Sequence, residues 1–176
     1  ADISKIEDIK KLISFVNNLF PSIDILINNA GVFPISSLQN ASLEDFENCF
    51  NLNIKAPFIL SKEFTKNMME KQWGRIINIG SSSSYDGFKD TSIYCASKHA
   101  LLGLSRSMFD ELKEFNVRTF CISPGSVKTD MAKVLTKQDF STFIEPKEVA
   151  DIIIFVISFD NEMIPEEIRL NRLIKK

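Results

Sequence analysis

The sequence is short of the residues that build many catalytic and metal sites. It contains one histidine, His99, among 176 residues. That histidine adjoins a lysine and no other metal ligand, so it is expected at the surface and outside the chemistry. Three cysteines, Cys49, Cys95 and Cys121, stand far apart without a C-x-x-C pair. They are expected as free, buried, small side chains, which implies a reducing, cytoplasmic compartment. No metal site is expected. The longest apolar run, residues 152–159, is too short to cross a bilayer, so no membrane partner is expected. Long runs of Lys or Arg are missing too. With a formal net charge of -2, the chain has no basic face to neutralise a phosphate backbone, which argues against nucleic acid as a partner.

What remains is an ordinary globular composition, 44% hydrophobic and 25% charged. It is enough for a sizeable core and too short for two domains, so residues 1–176 are expected to form one. Ser4-Lys5-Ile6-Glu7 has the spacing of a helix capping box. Apolar residues at Ile6, Ile9, Ile13, Val16 and Phe20 then follow a helical period, which Pro21 ends. Residues 23–27 read as a short buried strand running into Asn28-Asn29-Ala30-Gly31. A second capping signal at Ser42 opens a long helix to about residue 73. Its apolar stripe is predicted through Leu43, Phe46, Phe50, Ile54, Phe58 and Met68. Pro57 is expected to kink it and Gly74 to stop it.

Residues 75–79 form the next predicted strand, followed by a serine-rich loop to Asp90. A helix over 92–115, capped by Asn116, leads to a strand over 117–122. After Ser123-Pro124-Gly125 comes a lid-like stretch in which Met131, Val134, Leu135 and Phe140 suggest an apolar wall. Pro146 starts a helix to about residue 159, and 168–173 read as a last strand. Strands alternating with helices imply an α/β, doubly wound parallel sheet. In such sheets, ligands bind at the carboxyl edge of the strands.

Tyr94 and Lys98 are four apart near the start of a helix, which puts both on one face about 5–6 Å apart at Cβ. A free phenol has a pKa near 10, and a neighbouring ammonium favours the phenolate. Such a pair is suited to general acid–base work, although the spacing also arises by chance on many helices.

Five motifs extend the pattern. Asn28-Asn29-Ala30-Gly31 follows a strand, and Asn53-Ile54-Lys55-Ala56 lies in the next helix. Ser81 follows Arg75-Ile76-Ile77-Asn78-Ile79-Gly80. Tyr94-Cys95-Ala96-Ser97-Lys98 and Pro124-Gly125-Ser126-Val127-Lys128-Thr129 come next. In order and spacing the chain resembles the short-chain dehydrogenase/reductase family, nearest in texture to its 3-oxoacyl-carrier-protein reductase branch. The resemblance implies a Rossmann-like fold and an NAD- or NADP-dependent oxidoreductase acting on a small-molecule carbonyl or alcohol. It implies Tyr94 as proton donor or acceptor and Ser81 as hydrogen-bond donor to the same oxygen. Lys98 lowers the Tyr94 pKa and contacts the nicotinamide ribose, and Asn53 holds a water of a proton relay. For the cofactor it implies Asp2 and Ile3 at the adenine, Asn29 and Gly31 along the adenosine, and Val127 and Thr129 at the carboxamide.

The family's opening turn, T-G-x-x-x-G-x-G, is not among these residues, since the first glycine is Gly31. In the family at least two strand–helix units, on the order of 60 residues, precede the position of Ala1. The sheet is therefore expected without its first strands, leaving residues 23–28 as an edge, and the residue that selects NAD over NADP lies outside the sequence. A homodimer or homotetramer is expected, paired through the helices at 42–73 and 92–115. A contrasting reading is a catalytically silent remnant that acts as an oligomerising or binding module. Simple nucleotide binding is disfavoured, because Asn53, Ser81, Tyr94 and Lys98 are all present.

Overall fold

The computed structural model describes residues 1–136 and 138–173. Helix α1 (Ile6–Leu19) leads to strand β1 (Ile25–Asn28), and a long loop then reaches α2 (Leu43–Phe50). A π-helical turn (Asn51–Lys55) joins α2 to α3 (Ala56–Lys71). There follow β2 (Gly74–Ile79), a 3₁₀ turn at Ser82–Ser84, α4 (Ser92–Leu112), β3 (Val117–Pro124), α5 (Pro146–Ile157) and β4 (Glu167–Leu170). The four strands are all parallel, in the order β1-β2-β3-β4. This is the expected α/β sheet, with β1 at an edge.

Alternation along each strand divides the core into two. Ile76 of β2 faces α1, α3 and the end of α4, where it meets Ile9, Leu60, Phe64, Met68 and Leu112. Its neighbour Ile77 points to the other face and joins Phe120, Ile122, Val149 and Val156 under α5. One residue's shift in register would exchange these two sets, so the pairing Ile76 with Thr119 and Ile77 with Phe120 is fixed by burial on both sides. β1 is less covered: Ile25 is 40% and Ile27 45% exposed.

Several local expectations need correction. Ser4 does not cap α1: Lys5 is the N-cap and carries no side-chain cap bond. Instead the Asp2 carboxylate accepts from the Ser4 backbone N–H and hydroxyl, shaping the turn ahead of the helix. Ser42 does cap α2, accepting from the Asp45 N–H at 3.0 Å. The break expected at Pro57 takes the form of the π turn just upstream, which runs without interruption into α3 and widens the backbone where an α turn would crowd the proline ring. That helix ends at Lys71 on a left-handed Gln72, two residues before Gly74. The last strand is shorter than predicted, Glu167–Leu170.

Of the predicted stripe only Met68 is fully buried. Leu43, Phe46 and Phe58 are 80%, 42% and 49% exposed, Phe50 and Ile54 are half-buried, and Cys49, Asn53, Ala56, Leu60 and Phe64 make up the rest of the inward face. No helix among the described residues is long and apolar enough to cross a membrane.

Candidate active site

The parallel sheet gathers the motif residues at its carboxyl edge. Asn29 and Gly31 follow β1, Ser81 follows β2, and Val127 and Thr129 follow β3. The start of α4 brings Tyr94 and Lys98 to the same edge. At their centre lies Tyr94, half-buried. Burial raises its phenol pKa above the ordinary 10, and hydrogen bonding from the Ser81 side chain works against that rise.

Lys98 is buried, and its Nζ donates to the Ile79 carbonyl at the end of β2, 2.7 Å away. The ammonium stands 5.7 Å from the centre of the Tyr94 ring. Removing that charge from water lowers the Lys98 pKa to about 8. Burial thus works on both groups, toward the neutral phenol at Tyr94 and the neutral amine at Lys98.

Ser81 is oriented by its own loop. Its Oγ accepts from the Ser83 N–H at 3.1 Å, and its N–H donates to the Ser84 Oγ at 3.1 Å. With a backbone donor already on the oxygen, the Ser81 hydroxyl hydrogen is the group left to point outward. The reciprocal capping of the 3₁₀ turn is what distinguishes Ser81 from the three serines that follow it.

Asn53 occupies the π turn and is 1% exposed. Its side-chain amide pairs with both backbone groups of one residue: Oδ1 accepts from the Val32 N–H at 2.9 Å and Nδ2 donates to the Val32 carbonyl at 3.1 Å. Nδ2 also reaches the Ser97 Oγ at 3.0 Å and the Cys49 Sγ at 3.3 Å. These partners use up the amide hydrogens. Next to Val32, Gly31 is packed so closely that a Cβ there would stand 3.1 Å from the Asn53 Oδ1 and 3.8 Å from the Lys98 Nζ.

The remaining candidates have surroundings of their own. Asp2 is exposed, with Oδ1 committed to Ser4 and Oδ2 3.3 Å from Lys5. Ile3 packs against the core beside α1, and Asn29 is exposed. Val127 bridges to Ile144, and the Thr129 N–H donates to the Val127 carbonyl at 2.8 Å. All three cysteines are free and buried. His99 is exposed, with Nδ1 2.9 Å from the Cys95 carbonyl.

Two contributors had no strong sequence signal. Phe33 meets Tyr94 across the loop after β1, a pairing over 61 positions that periodicity does not reveal. Ser97 is visible only as the residue three positions after Tyr94, which places it beside that residue's turn of α4. A cavity of about 400 Å³ adjoins the loop, walled by Gly31 to Pro34, by Asp45 and Asn48 of α2, and by Met131. Met131 lines this cavity without completing a continuous apolar wall, since Asp45 and Asn48 share the lining, while Val134 and Phe140 stand 54% and 38% exposed nearby in sequence.

Comparison with known proteins gives a consistent set of likenesses. The family model for short chain dehydrogenase matches residues 1–139. The 3-oxoacyl-[acyl-carrier-protein] reductase FabG of Aquifex aeolicus (strain VF5) is 32% identical over 161 residues, covering 86% of this chain and 65% of that reductase. Carbonyl reductase family member 4 of Xenopus laevis is 32% identical over 163 residues, covering 89% and 69%. The chain spans about two thirds of the length of these relatives. Among solved structures, 4-hydroxyisoleucine dehydrogenase complexed with NADH superposes with a TM-score of 0.86 at 32% identity, covering 97% of this chain and 77% of that one. A metagenomic short-chain oxidoreductase in complex with NADP gives 0.83 at 27% identity, covering 98% and 72%.

Proposed function

Because this chain belongs to the short-chain dehydrogenase family, we propose that it supplies the acid–base centre of an oxidoreductase interconverting a carbonyl and an alcohol. The observation that carries this reading is one half-buried phenol flanked by a serine hydroxyl and a buried lysine. In carbonyl reduction, Tyr94 passes its proton to the substrate oxygen. A raised pKa suits that role, because the phenol then holds its proton at neutral pH. Ser81 donates its free hydroxyl hydrogen to the same oxygen. The Lys98 ammonium stabilises the phenolate left behind, and Asn53, its amide spent on neighbours, has its main chain to offer a relay water.

The residues present fit a nicotinamide cofactor. Gly31 keeps bare the surface beside Lys98, where a Cβ would press on the Asn53 Oδ1 at 3.1 Å and cover the Lys98 Nζ at contact distance. Tyr94, Lys98, Val127 and Thr129 would hold the nicotinamide end of NAD or NADP, and Asp2, Ile3, Asn29 and Gly31 the adenosine end. Bound there, the cofactor supplies or accepts the hydride. Asp2 would meet the adenine amino group by giving up its exposed pair with Lys5.

The exposed aromatic residues Phe46 and Phe58 support assembly into a homodimer or homotetramer through α2, α3 and α4. Free cysteines support a reducing, cytoplasmic setting. The test is turnover of NADH or NADPH with a panel of ketones, aldehydes, acyl thioesters and sugars, run beside Tyr94→Phe. Turnover that depends on Tyr94 is expected. Its absence across the panel favours a silent binding module.

A further inference from the structure

We propose that Ser97 is a positioning residue for Tyr94, fixing both the Asn53 amide and the turn of α4 that carries the phenol; this rests on the acid–base reading above. Ser97 is 0% exposed in the interior of α4. Its hydroxyl donates to the Tyr94 main-chain carbonyl at 2.8 Å and accepts from the Asn53 Nδ2 at 3.0 Å. The Cys49 thiol approaches the same oxygen at 3.5 Å. One hydrogen and two lone pairs are thus all engaged, and a buried hydroxyl reaches that state only in one orientation.

These contacts close a ring around the phenol. Ser97 holds Asn53, and Asn53 grips the Val32 main chain through both polar atoms of its amide. Phe33 follows Val32, and its ring rests edge-on against Tyr94 at 4.6 Å. Tyr94 is therefore fixed at its main chain by Ser97 and at its ring by Phe33, and the two restraints are joined through Asn53. Ser97 is the member of this ring that α4 supplies to Asn53. Without it, the amide keeps only the weak Cys49 sulfur besides Val32. The π turn also loses a contact that holds an uncommon backbone geometry in place.

Ser105 provides an internal control. It is equally buried on α4, back-bonds to Leu101 and accepts from the Asn78 amide, yet belongs to a separate buried network with Asn28. The experiment compares Ser97→Ala, Ser97→Cys, Ser105→Ala and Tyr94→Phe in the cofactor-loaded enzyme, with hydrogen exchange of the Asn53 side-chain amide followed by NMR. Ser97→Ala should lower kcat about ten- to a hundredfold, the scale of a small misplacement, with substrate KM little changed. The Asn53 amide hydrogens should exchange at least about tenfold faster, since their buried acceptor is gone.

Ser97→Cys, similar in size and a weak partner, should fall between; it carries the test if Ser97→Ala does not fold. Ser105→Ala should lower the unfolding midpoint and leave kcat alone. Parent-like kcat in Ser97→Ala or Ser97→Cys, or unchanged Asn53 amide exchange, would overturn the proposal while Tyr94→Phe remains inactive. An equal kcat loss in Ser105→Ala would reduce Ser97 to general stability and also overturn it. Full turnover in Tyr94→Phe would instead sink the acid–base reading, and the proposal with it.

Discussion

The ring of Phe33 meets that of Tyr94 edge-on, with 4.6 Å between centroids and 65° between planes. An edge contact of this kind restrains the phenol's tilt without competing for its hydroxyl. Phe33→Leu should keep the fold and lower kcat/KM by about tenfold, as a loosened acid loses alignment. Steady-state kinetics check this. A change confined to KM would show that Phe33 touches only the substrate.

Removing the phenolic oxygen is the sharper test. Tyr94→Phe should lower turnover by about a hundredfold or more, the scale of a lost general acid, with an unchanged far-ultraviolet circular dichroism spectrum. Near-parental turnover would contradict the role assigned to Tyr94.

Lys98 makes stability depend on pH in a defined direction. Burial lowers its pKa from 10.5 to about 8. Between those values the unfolded chain binds the proton more tightly than the folded one, so the cost of burying the ammonium fades as pH rises. Relative to Lys98→Met, the parent should gain up to about 3 kcal/mol between pH 7.5 and 10.5. Urea unfolding of both proteins at several pH values measures this, and a constant difference would count against it.

Gly31 and Gly103 should respond oppositely to alanine. At Gly31 the new Cβ would crowd an Asn53 amide that is pinned and cannot yield. Gly31→Ala should cost about 1 kcal/mol and raise the cofactor KM. At Gly103, within α4, nothing lies within 4 Å of the added carbon. Gly103→Ala should stabilise by roughly 0.5–1 kcal/mol through helix propensity. Thermal unfolding with cofactor titration separates the two.

Far from the site, Arg75 ties the amino ends of the strands to the end of α5. Its guanidinium is fully buried and donates to the carbonyls of Gly74, Asn116 and Phe159, as well as to Asp160. Arg75→Met should destabilise by about 1–3 kcal/mol, because the Gly74, Asn116 and Phe159 carbonyls each lose a charged donor, although Asn116 keeps the Gly74 N–H and Phe159 keeps Arg118. Asp160 is 69% exposed, so Asp160→Asn should cost under about 1 kcal/mol. Equal losses in the two variants would mean that the ion pair, and not the carbonyl bonds, carries the clamp.

The order of the motifs was legible because four of the five end a strand or begin a helix, where local signals are strongest, while Asn53 lies in the π turn between two helices. Tyr94, Lys98 and Ser81 could be singled out by spacing to one another. The inward face of α2 and α3 was not legible. A search for apolar residues at helical spacing finds Phe46 and Phe58, yet the surface that packs against α4 and the site loop is polar and close. It admits Cys49, Asn53 and Ala56. Ser4 misled for a related reason, since a local capping pattern says nothing of Asp2 taking the donors first.

The π turn at Asn51–Lys55 has a further consequence for the chain's tolerance of length change. A turn closed by a bond from residue i+5 holds about one residue more than the α turns on either side. Deleting one residue there would remove that extra residue and leave α2 and α3 facing much as they do, with Cys49 and Leu60 still inward. The loss would fall on the turn itself. Asn53 would be drawn into an α register and its amide away from Val32. Pro57 would come to stand inside an unbroken α-helix, where it lacks an N–H and crowds the carbonyl four residues back. The extra residue is thus dispensable for the direction of the helices and indispensable for where Asn53 reaches.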